Sequence, residues 1–366
     1  MSERLQTLPT ARDSHGGNIE AARAAHHRRS FLDFSINVNP WGPPPKLWFK
    51  LLASLPEIRR YPQPHSQDGR AQLAAFFGIA TDRLVLGNGA AELIHWLPWV
   101  LPVRRAVVLE PTFSEYAEAF TQCGKPVTRL PLTADFQVDL SRLRWTLGPG
   151  DLLFVCQPNN PTGCRTPAEA LQELLELAQA RQAWLAVDES FLWFCGAVPE
   201  LTAARYLNQF PRLLVLNSLT KIGAVPGLRL GLAMASPTVI RSLEKALDQW
   251  NVNRLAQELI PYIIDPGFLK RTRERLNREN QWLARELPKV SGLTVFPWQA
   301  NYFLAKVEQA RFTGTQLIAS LGKRGILVRD CRNFSGLGPA YFRSAVGHRA
   351  ENRRLIANLL DILKAL

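Results

Sequence analysis

Trp184-Leu185-Ala186-Val187-Asp188-Glu189-Ser190-Phe191 opens on four apolar residues and then breaks into two acids. A run without polar alternation reads as a strand buried on both faces of a sheet. Upstream, an apolar run at 152–155 is followed by residues 168–183, with Leu171, Leu174, Leu175 and Ala178 at helical spacing. Further short apolar runs occur at 84–86, 106–109 and 213–216. Strands alternating with helices from about residue 70 to 240 predict an α/β fold with a mostly parallel sheet, covered on both faces. After about residue 255 the texture changes. A charged helix over 269–287, strands at 292–296 and 302–307, another helix, strands at 326–328 and 341–346 and a final helix predict a smaller α+β domain. The expected division is an N-terminal arm with substrate-binding residues at 1–50, packing with the small domain. A large domain at 51–255 and the small domain at 256–366 complete it.

At about 100–200 residues per domain, a chain of 366 residues accommodates such a pair, and 46% hydrophobic residues are ample for a core. Five cysteines at 123, 156, 164, 195 and 331 form no metal-type pair and read as reduced thiols, so no metal is expected. Met1-Ser2-Glu3-Arg4 lacks the apolar core of a leader, which points to the cytoplasm. No apolar run approaches the roughly 18 residues that span a bilayer, so no membrane is expected. Lys plus Arg at 44 against Asp plus Glu at 31 leaves +13. Arg329, Arg332, Arg343, Arg349, Arg353 and Arg354 concentrate that excess near the C-terminus. Without a zinc-finger spacing or an aromatic RNA-binding signature, the excess suggests an anionic small substrate rather than nucleic acid, beside ordinary solvated charge.

Ligand sites in open α/β sheets lie beyond the carboxyl ends of the strands, so motifs placed there carry most weight. Ser218-Leu219-Thr220-Lys221 follows the run at 213–216, and Arg229 lies eight residues after Lys221. A lysine held there is a candidate for a Schiff base with a carbonyl cofactor, although most lysines are surface charges. Asp188 at a buried strand end needs a cationic or hydrogen-bonding partner; it is either a helix cap or the partner of a protonated pyridine nitrogen. Pro158-Asn159-Asn160-Pro161-Thr162-Gly163 fixes a turn from which Asn160 can donate to a phenolic oxygen. Leu86-Gly87-Asn88-Gly89-Ala90-Ala91-Glu92 runs from a strand into a helix start, where unobstructed amides form an anion site. Such a site would hold a cofactor phosphate on Gly89, Ala90 and Ala91, with Ser218, Thr220 and Arg229 closing the other side.

Taken in order across residues 87–229, these motifs resemble the fold-type I pyridoxal-phosphate enzymes of the aspartate aminotransferase superfamily. The resemblance implies a large domain with a mostly parallel central sheet, a smaller α+β domain and pyridoxal 5'-phosphate as cofactor. It implies that Lys221 carries the cofactor, Asp188 pairs with the pyridine nitrogen and Asn160 bonds the ring hydroxyl. Phe113, in Pro111-Thr112-Phe113-Ser114-Glu115-Tyr116, is implied to stack on the ring. Tyr61 is implied to reach the cofactor phosphate of a neighbouring subunit, and hence a homodimer.

Within the superfamily, two families that act on phosphorylated substrates come nearest: threonine-phosphate decarboxylases and histidinol-phosphate aminotransferases. His15-Gly16-Gly17-Asn18 and Asp33-Phe34-Ser35-Ile36-Asn37-Val38-Asn39-Pro40 resemble the N-terminal motifs of the decarboxylase. Phe191 stands where the aminotransferases usually have tyrosine, and Ser190 departs from the alanine usual in the decarboxylase. Arg329 and Arg343, fourteen positions apart, are implied to bind the substrate anions with His15, Gly16, Asn37 and Asn160. The function so implied is decarboxylation of L-threonine O-3-phosphate to (R)-1-amino-2-propanol O-2-phosphate for cobalamin synthesis, with the aminotransferase as alternative. The arginine pair then sets which bond at the α-carbon stands perpendicular to the conjugated plane and breaks, remote binding energy enforcing the orientation.

Overall fold

The apolar runs become strands because each is long enough to cross a sheet and has no polar face to leave in water. The structure, a computed structural model, describes residues 16–308 and 312–364, in two compact units. The larger comprises Val38–Arg278 and Pro297–Asn301. Its seven strands are β1 (Leu84–Gly87), β2 (Arg105–Glu110), β3 (Val127–Pro131), β4 (Asp151–Cys156), β5 (Trp184–Asp188), β6 (Leu213–Ser218) and β7 (Gly231–Met234). They lie in the order β1-β7-β6-β5-β4-β2-β3, and all neighbours are parallel except those of β7, which runs antiparallel to both β1 and β6. Two of these strands carry weak sequence signals. β3 is half exposed at the edge, and β7 is a four-residue Gly-Leu-Ala-Met segment.

The helix Ala90–Val100 turns Leu93, Ile94 and Leu97 onto one face of this sheet, where they meet Tyr116, Phe120 and Phe154. Each such fully buried side chain contributes roughly 1.5–3 kcal/mol. The strand register brings Cys156 opposite Asp188, Asp188 opposite Leu216, and both Gly87 and Ser218 opposite Gly231. One edge of the sheet thus collects the ends of four strands.

The smaller unit comprises Met1–Asn37, Glu279–Phe296 and Tyr302–Leu366. Four antiparallel strands lie in the order Arg329–Asp330, Tyr341–Ala345, Tyr302–Val307 and Leu293–Val295. Leu32–Asp33 pairs in parallel with Ile326–Leu327. A Thr313–Gln316 capping box starts the helix Gly314–Lys323, and the long helix Arg349–Lys364 buries Leu355, Ile356 and Leu359.

The unit boundaries differ from the expected 1–50, 51–255 and 256–366. Residues 38–50 and 256–278 belong to the larger unit. The helix Arg254–Ile263 packs on the helices Pro45–Ser54 and Gln67–Phe77, so an apolar face places it with the large sheet although the change of texture begins near its start. Of the expected arm, residues 16–37 go with the smaller unit.

Candidate active site

Asp188 ends β5 and is 4% exposed. Its Oδ1 accepts from the backbone N–H of Ser190 at 2.9 Å and from Ser190 Oγ at 2.6 Å, and its Oδ2 accepts from the Tyr116 hydroxyl at 2.7 Å. Burial pushes this carboxyl above its ordinary value, while the Ser190 and Tyr116 bonds and the Lys221 ammonium oppose the rise. Tyr116 is itself completely buried, stacked on Phe154 at 4.7 Å and met edge-on by Phe113 at 5.6 Å. A carboxylate has about four acceptor sites, so these donors leave one.

Across the sheet edge, Ser218 ends β6 and its Oγ lies 2.8 Å from Thr220 Oγ1. Lys221, in the short helix Leu219–Ile222, is half-buried. The Lys221 carbonyl accepts from Asn39 N at 2.9 Å, and Asn39 Nδ2 donates to the next carbonyl, that of Ile222, at 3.0 Å. The lysine turn is therefore clamped by the Asn39 of the N-terminal motif. Gly89 caps the helix Ala90–Val100 with φ +85°, and a Cβ there would come within 2.2 Å of Arg229 Nη2. Only glycine lets the guanidinium close over the helix start, where free N–H groups favour an anion. Ala90 is buried and Ala91 half-buried in the first turn.

The Asn-Pro-Thr-Gly turn follows β4. Asn159 anchors it: its Oδ1 accepts from Thr112 Oγ1 at 2.7 Å and its Nδ2 donates to the Pro111 carbonyl at 2.9 Å. That fixes the turn against the loop that carries Phe113. Asn160 and Phe191 are both buried. The segment Pro297–Asn301 braces the same turn, through Gln299 N to the Gly163 carbonyl at 2.9 Å and Gln299 Oε1 to Arg165 N at 2.8 Å. Tyr61 is 76% exposed and stacks on Trp250 at 4.5 Å.

In the smaller unit, Arg329 and Arg343 are direct partners in antiparallel register, which puts both side chains on one face of the sheet. Both are buried. Arg343 Nη2 donates to the Ser35 carbonyl at 2.6 Å and its guanidinium lies over the Tyr302 ring; Arg329 Nη2 donates to Asn333 Oδ1 at 2.8 Å and lies over Phe334. Burial lowers both guanidinium values, that of Arg343 to about 10, where the Arg329 charge adds to the effect. Gly16 presses on Ser35, since a Cβ on it would fall 2.3 Å from the Ser35 carbonyl oxygen, and Gly17 N donates to Ser35 Oγ at 2.9 Å. Asn37 is buried, and its amide oxygen and nitrogen have no hydrogen-bond partner among the described residues. A buried amide left so is expensive unless a ligand satisfies it. His15 lies outside the described residues.

A family model described as aminotransferase class I and II matches residues 29–359. The chain belongs to that family. It is 33% identical to the threonine-phosphate decarboxylase of Salmonella typhimurium, over 96% of this chain and 97% of that one. It is also 31% identical to the histidinol-phosphate aminotransferase of Yersinia enterocolitica, over 83% and 81% of the two chains. The bifunctional adenosylcobalamin biosynthesis protein of Leptospira interrogans is 32% identical over 93% of this chain, which spans only 40% of that protein's length. In fold, the chain is similar to the histidinol-phosphate aminotransferase from Clostridium acetobutylicum, with a TM-score of 0.86 at 24% identity, over 92% of this chain and all of that one.

Members of this aminotransferase family are pyridoxal-phosphate enzymes with the fold-type I architecture, and this chain is one of them. The residues at the sheet edge fit that cofactor: a buried acid with one acceptor site left, and a helix start closed by a guanidinium over a glycine. The larger unit brings together Gly89, Ala90, Ala91, Phe113, Asn160, Asp188, Ser218, Thr220, Lys221 and Arg229 at the ends of its strands and in the loops after them. The smaller unit brings together Gly16, Arg329 and Arg343 about Ser35, and Asn37 follows two residues on. Sequence reading missed Tyr116, Asn39 and Asn159. Tyr116 carried a signal, standing three residues after Phe113 at the start of the helix Glu115–Gln122. Among the described residues, no group of three side chains is arranged to hold a metal and no helix is long and apolar enough to cross a membrane.

Proposed function

We propose that this enzyme decarboxylates L-threonine O-3-phosphate to (R)-1-amino-2-propanol O-2-phosphate, the aminopropanol unit of cobalamin synthesis, in the cytoplasm. The observation that carries the reading is the way Ser35 joins the N-terminal motifs to the arginine pair: Gly16 and Gly17 pack on it and Arg343 bonds its carbonyl. The His-Gly-Gly-Asn element is the part of the chain that resembles the decarboxylase and not the aminotransferase. Building it onto two buried arginines gives a site for a substrate with two anionic groups. Arg forks grip phosphate and carboxylate bidentately, and an anion relieves the mutual repulsion of the buried charges.

In this reading Lys221 Nζ is the amine that takes the cofactor's carbonyl, Asp188 faces the ring nitrogen, Asn160 faces the ring hydroxyl and Phe113 stacks on the ring. Gly89, Ala90, Ala91, Ser218, Thr220 and Arg229 hold the cofactor phosphate. When bound, the cofactor supplies a carbonyl for imine formation and a protonated ring that draws electrons from the substrate α-carbon. Arg329, Arg343, Asn37, Gly16 and His15 hold the substrate anions and so decide which α-carbon bond is aligned to break. Phe191 leaves the ring oxygen without the tyrosine hydroxyl usual in the aminotransferases. Tyr61 serves the phosphate site of a second subunit. Its own exposure, with that of Trp48, Phe49, Leu52 and Ile58 beside it in sequence, supports a homodimer.

The deciding assay mixes holoenzyme with threonine phosphate and follows carbon dioxide release, against a parallel reaction of histidinol phosphate with 2-oxoglutarate scored for glutamate. Carbon dioxide without glutamate is expected; glutamate alone would assign the aminotransferase instead.

A further inference from the structure

The residue that departs from the decarboxylase pattern, Ser190, makes the shortest hydrogen bond to Asp188. Its Oγ and its backbone N–H both reach Oδ1, so the two-residue turn after β5 locks one carboxylate oxygen completely. Tyr116 takes half of the other oxygen, and its ring is fixed between Phe154 and Phe113. We propose that Ser190 and Tyr116 are positioning residues whose hydroxyls hold the Asp188 carboxylate anionic and turn its one remaining acceptor site toward the cofactor ring nitrogen. This rests on the reading that Asp188 faces that nitrogen.

Proton placement decides how well the ring works. A carboxyl and a pyridine share one proton, and the ring withdraws electrons well only when the proton sits on nitrogen. Burial works against this, because it favours the neutral acid and pushes Asp188 upward. Donors to the carboxylate work in the opposite sense, since each stabilises the anion and not the acid. Tyr116 is a dependable donor: burial, reinforced by the Asp188 charge, pushes its phenol well above the ordinary value, so it stays protonated. The serine hydroxyl is the adjustable part. An alanine at 190 keeps the backbone N–H to Oδ1 and loses only the 2.6 Å bond.

The test uses holoenzyme reconstituted with cofactor labelled with nitrogen-15 in the ring, whose chemical shift reports ring protonation as pH is varied. Wild type is expected to keep the ring nitrogen protonated to high pH. Ser190→Ala and Tyr116→Phe each make the carboxylate more basic, so each is expected to move the shared proton toward Asp188 by about tenfold, which displaces the nitrogen-15 shift on the low-pH side of the titration toward that of a neutral pyridine. Ser190→Thr, which retains a hydroxyl, is expected to restore the wild-type shift. The kinetic counterpart is a lower kcat with little change in KM, because the effect is on the electron sink and not on substrate binding. Should wild type titrate like Asp188→Asn, the pairing of Asp188 with the ring is wrong. If instead wild type is protonated and neither Ser190→Ala nor Tyr116→Phe displaces that shift, the positioning role is overturned while the pairing stands.

Discussion

The two regions that carry the candidate chemistry handle buried charge in opposite ways. At the edge of the large sheet the buried Asp188 is surrounded by neutral donors, two hydroxyls and an amide. In the small unit two like-charged guanidinium groups are buried side by side, supported by a carbonyl, an amide oxygen and aromatic faces. The first arrangement suits a flat ring that brings one proton. The second is stable only at some cost until an anion arrives, since desolvating charges is expensive and like charges add to it. The first region holds the motifs common to a whole family of reactions. In the proposed reading, choice among those reactions belongs to the second; relatives of similar identity bear two different names.

That contrast can be broken most directly at Lys221. Lys221→Ala is expected to reduce turnover by about 10³-fold or more, as for loss of a covalent catalyst, while calorimetry still detects binding of threonine phosphate through the arginines. Retained turnover in a folded variant would end the covalent role. Next in size is Arg343→Ala, expected to raise KM on the order of 30-fold or more, from the roughly 2–5 kcal/mol lost when a buried charge partner is truncated. The visible absorbance of bound cofactor should be unchanged; its loss would show that the two regions are not separable in function.

The smallest expected effect concerns Glu189, next to Asp188. Burial pushes it up to about 8, against hydrogen bonds from Thr202 Oγ1 and Ala203 N at 2.6 Å. At low pH the folded and unfolded chains both carry this proton. As pH rises from 4.5 the unfolded chain ionises first, so stability falls until about pH 8 and then levels. Glu189→Gln should flatten that fall in Tm by several degrees, measured by calorimetry on the cofactor-free protein; an unchanged profile would mean that Glu189 is already ionised.

Much of the large unit was legible because its signals are local. An apolar run such as 184–187 reports burial on both faces, and a glycine turn before a helix reports an anion site, without knowledge of what lies across the sheet. β7 was not legible, since Gly231-Leu232-Ala233-Met234 is too short to stand out and its antiparallel place between β1 and β6 depends on both neighbours. The boundary at 255 failed for a related reason: a change of texture marks where helices become charged, not which core their apolar faces join.

The sequence by itself determined the alternation of strand and helix, the order of the cofactor motifs and the lysine on which the chemistry is expected to turn. Each is encoded within a few residues, by period, turn chemistry or side-chain type. Only the tertiary structure decided that Tyr116 bonds Asp188, that Ser190 completes the lock, and that two arginines fourteen positions apart face each other across a pair of strands. Those contacts depend on strand register and helix placement, and a one-residue slip would send each side chain to the opposite face.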